Sequence, residues 1–372
     1  MFAPYKIIHF TKGCNFACPS GSLKSIAICH GVVPKYWSNH KDILTYSTSI
    51  TVCTSFNFEL FPELKLNPHI YIIGAGAVGK ALAVSLSLAG RQVTLLRGSR
   101  DDGASYSEQI RVHYKGKTLL DAEIPVSSLK NFTEFQGVVV LTNKSFGNRA
   151  LAEKLKSRAK NTPLVLLQNG LGVEEPFLKG RFTEVYRCVL FVTSQQEGQH
   201  ISYKPVDISP IGVIRNKSTN LKDIVGALNC THFKFRAETE IQKVIWEKAV
   251  ANCVFNSICP LLETDNGIFH RQPEVFELAR CIIGECVALA DEMGIKLEPI
   301  VLETMVLTIS RKSDGQIIST LQDIRNGRET EIDTLNLEVA RIAGKLGKAQ
   351  AVATTKLLGE LTQMKSFINL KS

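Results

Sequence analysis

The sequence predicts an α/β parallel-sheet domain followed by an all-α C-terminal domain. Three observations carry this. A β-rich run from His69 to Ile73 ends in a glycine turn that opens an Ala/Leu/Val-rich helix. Short apolar strands then alternate with helical stretches, the pattern of a parallel sheet. Beyond about residue 238 long helical periods take over, with few strand signals.

The elements follow in order. His69-Ile70-Tyr71-Ile72-Ile73 is the first strand. Ala77 to Ala89 has helical spacing, and Gly90 stops it. Gln92 to Leu96 is a second strand. Gly137 to Leu141 and Leu164 to Leu167 are further strands, with a helix from Ala150 to Lys160 between them. Residues 184–215 read as β-rich, with Gln195, Glu197 and Gly198 in a turn. Candidate helices cover 239–258, 273–293, 297–310, 318–346 and 350–364. The boundary near 238 divides the regular chain into 68–238 and 239–372.

Residues 1–67 do not resemble the rest of the chain and read as an N-terminal extension of unknown role. They hold Cys14, Cys18, Cys29 and Cys53, several aromatics and no clear period. Gly13-Cys14-Asn15-Phe16-Ala17-Cys18 starts like a C-x3-C-x2-C iron–sulfur motif, but the third cysteine position is Gly21. No metal site is expected.

A chain of 372 residues, 44% apolar and 21% charged, can build two domains with sizeable cores. The net charge of +9 is scattered, without basic runs or basic–aromatic interleaving. That argues against nucleic acid as a partner and suits anionic small molecules. No run reaches the roughly 18 apolar residues of a membrane span, and the N-terminus lacks a secretory apolar core. Ten cysteines lack framework spacing, and Cys253, Cys281 and Cys286 lie in apolar helical runs. They read as packed, reduced thiols of a cytoplasmic protein. A homodimer is left open.

Gly74-Ala75-Gly76-Ala77-Val78-Gly79 is G-x-G-x-x-G between a strand and a helix. Gly74 permits a tight turn, Gly76 lets backbone approach a pyrophosphate, and Gly79 lets helix and strand pack closely. The helix N-terminus faces the anion. Where NAD-binding folds carry an acid at the end of the second strand, Thr94-Leu95-Leu96 runs into Arg97, with Arg100 close behind. An arginine there suits a 2′-phosphate and favours NADPH. A solvent-exposed arginine beyond a strand is the plainer alternative.

The chemistry concentrates in Trp246-Glu247-Lys248-Ala249-Val250-Ala251-Asn252-Cys253-Val254-Phe255-Asn256. Lys248, Asn252 and Asn256 are four apart and form one stripe of a helix otherwise apolar. Buried polar groups need partners. A cleft holding a polar small molecule supplies them, and so does a structural network to a neighbouring helix.

These residues resemble a family, the ketopantoate reductases (2-dehydropantoate 2-reductases). The likeness runs from about His69 to the C-terminus. It rests on G-A-G-A-V-G at 74–79, T-N-K at 142–144, Q-N-G-L-G at 168–172, the 246–256 stretch, D-N-G at 265–267, and S-T-L-Q-D-I-R-N-G-R-E-T-E-I-D at 319–333. It implies a Rossmann-type NADP-binding domain, an all-helical substrate domain, and a cleft between them. It further implies reduction of ketopantoate to (R)-pantoate with NADPH, toward pantothenate and coenzyme A. Lys248 matches the catalytic lysine that protonates the carbonyl, and Glu331 the acid that interacts with that lysine and the substrate. Asn252, Asn256, Asn266 and Ser319 match substrate-binding positions. Lys144 and Asn169 match residues beside the nicotinamide, and Arg97 matches the 2′-phosphate arginine. The alternatives are an NADPH-dependent reductase of another branched 2-oxo acid, a non-catalytic NADPH-binding regulatory protein, or a structural module.

Read without the likeness, several of these residues have plainer roles. Lys248 could snorkel at a helix edge. Glu331 could pair with Arg328 on one helix. Ser319 with Gln322 has capping-box spacing. Asn169-Gly170 and Asn266-Gly267 could be simple turns.

Overall fold

A computed structural model describes residues 67–98 and 100–370, which belong to one compact unit. The N-terminal extension up to Leu66, with Cys14, Cys18, Cys29 and Cys53, lies outside the described residues.

The first strand, β1 (His69–Ile73), leads into α1 (Ala77–Leu88) and β2 (Val93–Arg97). A long pair, β3 (Tyr106–Tyr114) and β4 (Thr118–Ser128), comes next. After it come β5 (Gly137–Leu141), α2 (Asn148–Leu155), β6 (Leu164–Leu166), α3 (Glu175–Lys179) and β7 (Val185–Cys188). The sheet is completed by β8 (Val192–Glu197), β9 (His200–Pro205), β10 (Ser209–Arg215) and, after α4 (Leu221–Leu228), β11 (Phe235–Ala237). The eleven strands of the described residues form one sheet in the order β11-β10-β7-β6-β5-β1-β2-β4-β3-β9-β8.

The centre, β7-β6-β5-β1-β2, is parallel. Its strands are apolar on both faces, as a doubly covered sheet requires. Ile70 and Ile72 of β1 join a core with Leu82, Leu95 and Val140. Tyr71 and Ile73 point the other way, into a core with Leu96, Val139 and Leu141. Successive strands run from β1 to β2 on one side, whereas β5 pairs with β1 on the other. The sheet therefore reverses direction between β1 and β5, where α/β sheets open a crevice for ligands.

From Ile241 on, the described elements are helical: α5 (Ile241–Leu261), α6 (Ile268–Arg271), α7 (Pro273–Glu292), α8 (Pro299–Lys312), α9 (Ser319–Arg325), α10 (Asn336–Lys345) and α11 (Ala353–Leu370). They enclose a third core around Trp246, Val250, Val254, Ile282 and Leu302. No helix among the described residues is long and apolar enough to cross a membrane.

The expected single helix over 318–346 is corrected. It breaks after Arg325, where Gly327 adopts φ +58° and the Asp323 carbonyl accepts from the amides of Asn326 and Arg328. A glycine in the left-handed region behind the last turn ends a helix. A single 3-10 turn, Ile332–Thr334, precedes α10. Arg328 and Glu331 are thus not on one helix, and Arg328 pairs with Asp323 at 2.9 Å. Ser319 is no capping residue either: Ile318 precedes the helix without a side-chain cap, and Gln322 donates to the Ile317 carbonyl. Of the three helical thiols, Cys253 and Cys286 are buried but Cys281 is exposed.

The β3–β4 hairpin is not expected from the sequence pattern. It turns at Lys115 and Gly116, both with positive φ (52° and 68°). The Lys117 amide closes this turn on the Tyr114 carbonyl at 3.1 Å, and the three-residue connection 115–117 joins the strands at the Tyr114–Thr118 pair.

Candidate active site

The glycine loop leaves β1 at the sheet's reversal point. The Gly74 amide donates to the Leu96 carbonyl, and the amides of Thr142 and Asn143 donate to the Ile73 carbonyl. Gly74 has φ +123°, and a Cβ there would lie 2.5 Å from the Asn143 amide nitrogen. A Cβ on Gly79 would collide with the Gly74 carbonyl oxygen. Gly76 differs, because nothing lies within 4 Å of where its Cβ would be. Two glycines are thus needed for the protein's own packing, and the third leaves open space at the N-terminus of α1. The side-chain oxygen of Asn143 is also buried without a hydrogen-bond partner. These features fit a dinucleotide: residues 74–79 would hold its pyrophosphate.

Arg97 closes β2 on the same edge. Its guanidinium forms a bidentate pair with Asp102, donates to the Ala104 carbonyl at 3.2 Å, and lies over the Tyr106 ring. Arg100 is exposed.

A cavity of about 100 Å³ lies beyond the carboxyl end of β6, against α5 and α9. It brings together six of the residues singled out by sequence: Asn169, Lys248, Asn252, Asn256, Ser319 and Glu331. Thr320 and Asp323 line it as well, and sequence reasoning missed both. Both lie inside the 319–333 motif, one and four residues beyond Ser319, so the signal was present. A larger cavity of about 350 Å³, lined by Gly137, Arg158 and Thr162, opens at the amino ends of β5 and β6 and holds none of the expected groups.

The α5 stripe is built as the spacing requires. Lys248 donates to the Leu190 carbonyl, and its ammonium sits 5.1 Å from the Phe191 ring centre. Burial pulls its pKa down to about 8, while the nearby Cys188 and Glu331 push the other way. Asn256 is orientated by two neighbours: its Oδ1 accepts from Thr320 Oγ1 at 2.7 Å, and its Nδ2 donates to the Asn252 carbonyl at 3.0 Å. One amide hydrogen is left for a ligand.

Glu331 heads the 3-10 turn and lies 3.6 Å from Lys144, which also meets Asp323 at 3.4 Å. Lys144 thus reaches from the loop after β5 to two carboxylates of the helical region. Glu331 acts on Lys248 through its charge, whereas its ion pair is with Lys144. Asn266 does not line this cavity. Its side-chain oxygen is buried without a partner, and its backbone is tied to Gln316 and Ser310.

The Asn169 loop is held from beneath. Arg187, almost fully buried on β7, pairs with Glu174 and donates to the carbonyls of Gly170 (2.9 Å) and Gln168 (3.4 Å). Gln168 and Asn148 exchange amide hydrogen bonds at 2.8 Å, which ties this loop to the one carrying Lys144. On its far side the Leu171 amide donates to the Thr334 carbonyl at 2.7 Å. Among the described residues no three His, Cys, Asp or Glu side chains converge on a metal position.

This arrangement can bind a small anion between amides and ammonium groups, beside a dinucleotide loop, and offer a proton from a partly desolvated lysine. Comparisons with known proteins agree in kind. The family model "Ketopantoate reductase PanE/ApbA" matches residues 70–209, and "Ketopantoate reductase PanE/ApbA C terminal" matches residues 240–365. A 2-dehydropantoate 2-reductase of Pyrococcus horikoshii is 27% identical over 282 residues, covering 74% of this chain and 90% of that protein. The ketopantoate reductase of Ralstonia eutropha shares the fold, with a TM-score of 0.69 at 22% identity over 81% of this chain and 99% of that one. A D-mandelate dehydrogenase solved with NADH does so with a TM-score of 0.68 at 20% identity, over 81% and 99%. Two family models that together span more than half of the sequence show that the chain belongs to the ketopantoate reductase family.

Proposed function

We propose that the protein reduces 2-dehydropantoate to (R)-pantoate with NADPH, on the path to pantothenate and coenzyme A. One observation carries the reading: a single cavity gathers Lys248, Asn252, Asn256, Asn169, Ser319 and Glu331, and Lys144, next to the Asn143 that packs on Gly74, reaches two of its carboxylates. In this reading residues 68–238 hold the cofactor and 239–372 hold the substrate.

The chain's own groups divide the work. Lys248 points an ammonium at the ketone oxygen, stabilises the charge that builds there, and delivers a proton to it. Burial makes that proton easier to give, because desolvation disfavours the charged amine. Asn252, the remaining hydrogen of Asn256, and Ser319 bind the substrate's carboxylate and hydroxyl groups. Asn266, which lies outside the cavity with its side-chain oxygen unpartnered, is a substrate contact only by the likeness of its D-N-G segment to the family. Glu331 keeps Lys248 protonated, and Lys144 with Asn169 orients the cofactor's reactive end. Arg97 receives the 2′-phosphate. When bound, the nicotinamide supplies the hydride that adds to the carbonyl carbon.

The test is NADPH oxidation, followed with a panel of 2-oxo acids by the full-length protein. The panel includes an aryl 2-oxo acid, because D-mandelate dehydrogenase shares the fold. Turnover of 2-dehydropantoate well above the others supports the reading. A preference for another branched or aryl acid reassigns the substrate, and no oxidation with any acid sinks the enzymatic reading.

A further inference from the structure

The carboxylate on Arg97 bears on cofactor choice. Asp102 grips the guanidinium with both oxygens, one contact being 3.1 Å, and its Oδ1 also accepts from the Ala104 amide at 2.9 Å. This is more than a chance meeting of surface charges, because the chain on either side of Asp102 is pinned. Asp101 accepts from Ser128 Oγ (3.0 Å) and from the Lys130 amide (2.7 Å). The Gly103 amide donates to Ser128 Oγ at 3.1 Å, and Asn131 Nδ2 donates to the Gly103 carbonyl at 3.0 Å. Ser128, which ends β4, and Asn131 just beyond it thus fix the loop that presents Asp102 to the end of β2.

Two recognition devices therefore meet at one place. An arginine after the second strand is what a 2′-phosphate pairs with, and an acid there is what a ribose 2′-hydroxyl donates to. We propose that Asp102 is a cofactor-selecting residue: it neutralises Arg97, competes with the 2′-phosphate for the guanidinium, and so narrows the protein's preference for NADPH over NADH. This deepens the NADPH reading above and rests on it. The guanidinium also holds the Asp102 carboxyl below the usual carboxylate range, so the competing group stays ionised at neutral pH. A dianionic phosphate entering the site has to displace a carboxylate already in place, whereas a 2′-hydroxyl does not.

The experiment measures dissociation constants of NADPH, NADH, adenosine 2′,5′-bisphosphate and AMP by calorimetry on the full chain. The variants are Asp102→Asn, Arg97→Ala and the double variant. Asn retains the acceptor for the Ala104 amide and removes only the charge. Asp102→Asn should tighten NADPH and the bisphosphate by roughly 2- to 10-fold, the scale of an exposed ion pair. It should leave NADH and AMP unchanged or weaker. With Arg97→Ala in place, Asp102→Asn should no longer tighten NADPH. Unchanged or weaker NADPH binding by Asp102→Asn, or an equal gain for both cofactors, would overturn the proposal. If Arg97→Ala weakens NADPH selectively while Asp102→Asn does nothing, the competition fails and the NADPH reading stands. If Arg97→Ala weakens both cofactors equally, both fail.

Discussion

Lys248 shows how an environment tunes one side chain. Its amine belongs to a helix whose other faces are core, so burial is unavoidable and its pKa falls to about 8. Glu331 and Cys188 oppose the fall. As the proposed general acid it must be charged, so activity is present below about pH 8 and lost as the pH rises through that value. kcat/KM reports the free enzyme and should be flat below, then decline above, about pH 8. Glu331→Gln removes an upward push, so the decline should move to lower pH. A shift to higher pH, or none, would show that Glu331 does not act on Lys248. Lys248→Ala should lower kcat by about 10²–10⁴-fold with little change in NADPH affinity, and near-normal turnover in that variant would remove the lysine from the chemistry. The stripe itself was legible in sequence, since four-residue spacing puts three polar groups on one face whatever surrounds the helix. What that face meets was not. Thr320 fixing Asn256, and Lys144 taking up Glu331, depend on segments 64 and 187 residues away in the chain.

At the scale of elements, the parallel strands and long helices were readable because burial on both faces writes continuous apolar runs. The β3–β4 hairpin was passed over although its alternation is present, with exposed Gln109, Arg111, Asp121 and Glu123 between buried Ile110, Val112, Leu120 and Ile124; no Asn-Gly or Asp-Gly pair marks its turn at Lys115-Gly116. The 318–346 stretch holds its own break: no apolar residue lies between Ile324 and Ile332, and Gly327 takes the left-handed turn inside that gap. The break matters, because it sets Glu331 on a 3-10 turn facing the Asn169 loop instead of carrying it around a helix. Gly170 is the hinge of that contact. It has φ +96°, and a Cβ there would run into the Thr334 side chain. Gly170→Ala should cost about 2–4 kcal/mol, read from the denaturant midpoint, and should lower kcat/KM by displacing Asn169 and Glu331 together. Gly116→Ala is the control. It also has positive φ, but open space surrounds it, so stability should drop with activity intact. Full activity in Gly170→Ala would mean that the loop contact does not set the site.

At the scale of the whole molecule, the sheet and the helices are joined around the candidate site. The Glu238 amide donates to the Ile211 carbonyl at 2.8 Å, and Gly212 is so close to Ile241 that a Cβ would strike its side chain. The start of α5 is therefore seated on β10 before the helix reaches Lys248. Across the cleft Lys144 meets Asp323 and Glu331, and Leu171 meets Thr334. Some of these links are charged and partly exposed, and each is individually weak. The buried ones, α5 on β10 and the loop on the 3-10 turn, cannot open without exposing Ile241, Leu171 and Leu335, which are buried in one apolar core. Unfolding of either part should then drag the other with it. A ligand that binds only the folded state at 100 times its dissociation constant stabilises it by about 2.7 kcal/mol. For a cooperative unit of this size that corresponds to a rise of about 3–8 °C. Calorimetric melting of the full chain with saturating NADPH should therefore move the unfolding of sheet and helices together, although the proposed cofactor loop belongs to the sheet region. Two separate transitions, of which only one responds to NADPH, would show that the cleft joins two independent stabilities, and the cross-cleft contacts would then be consequences of closure rather than causes of it.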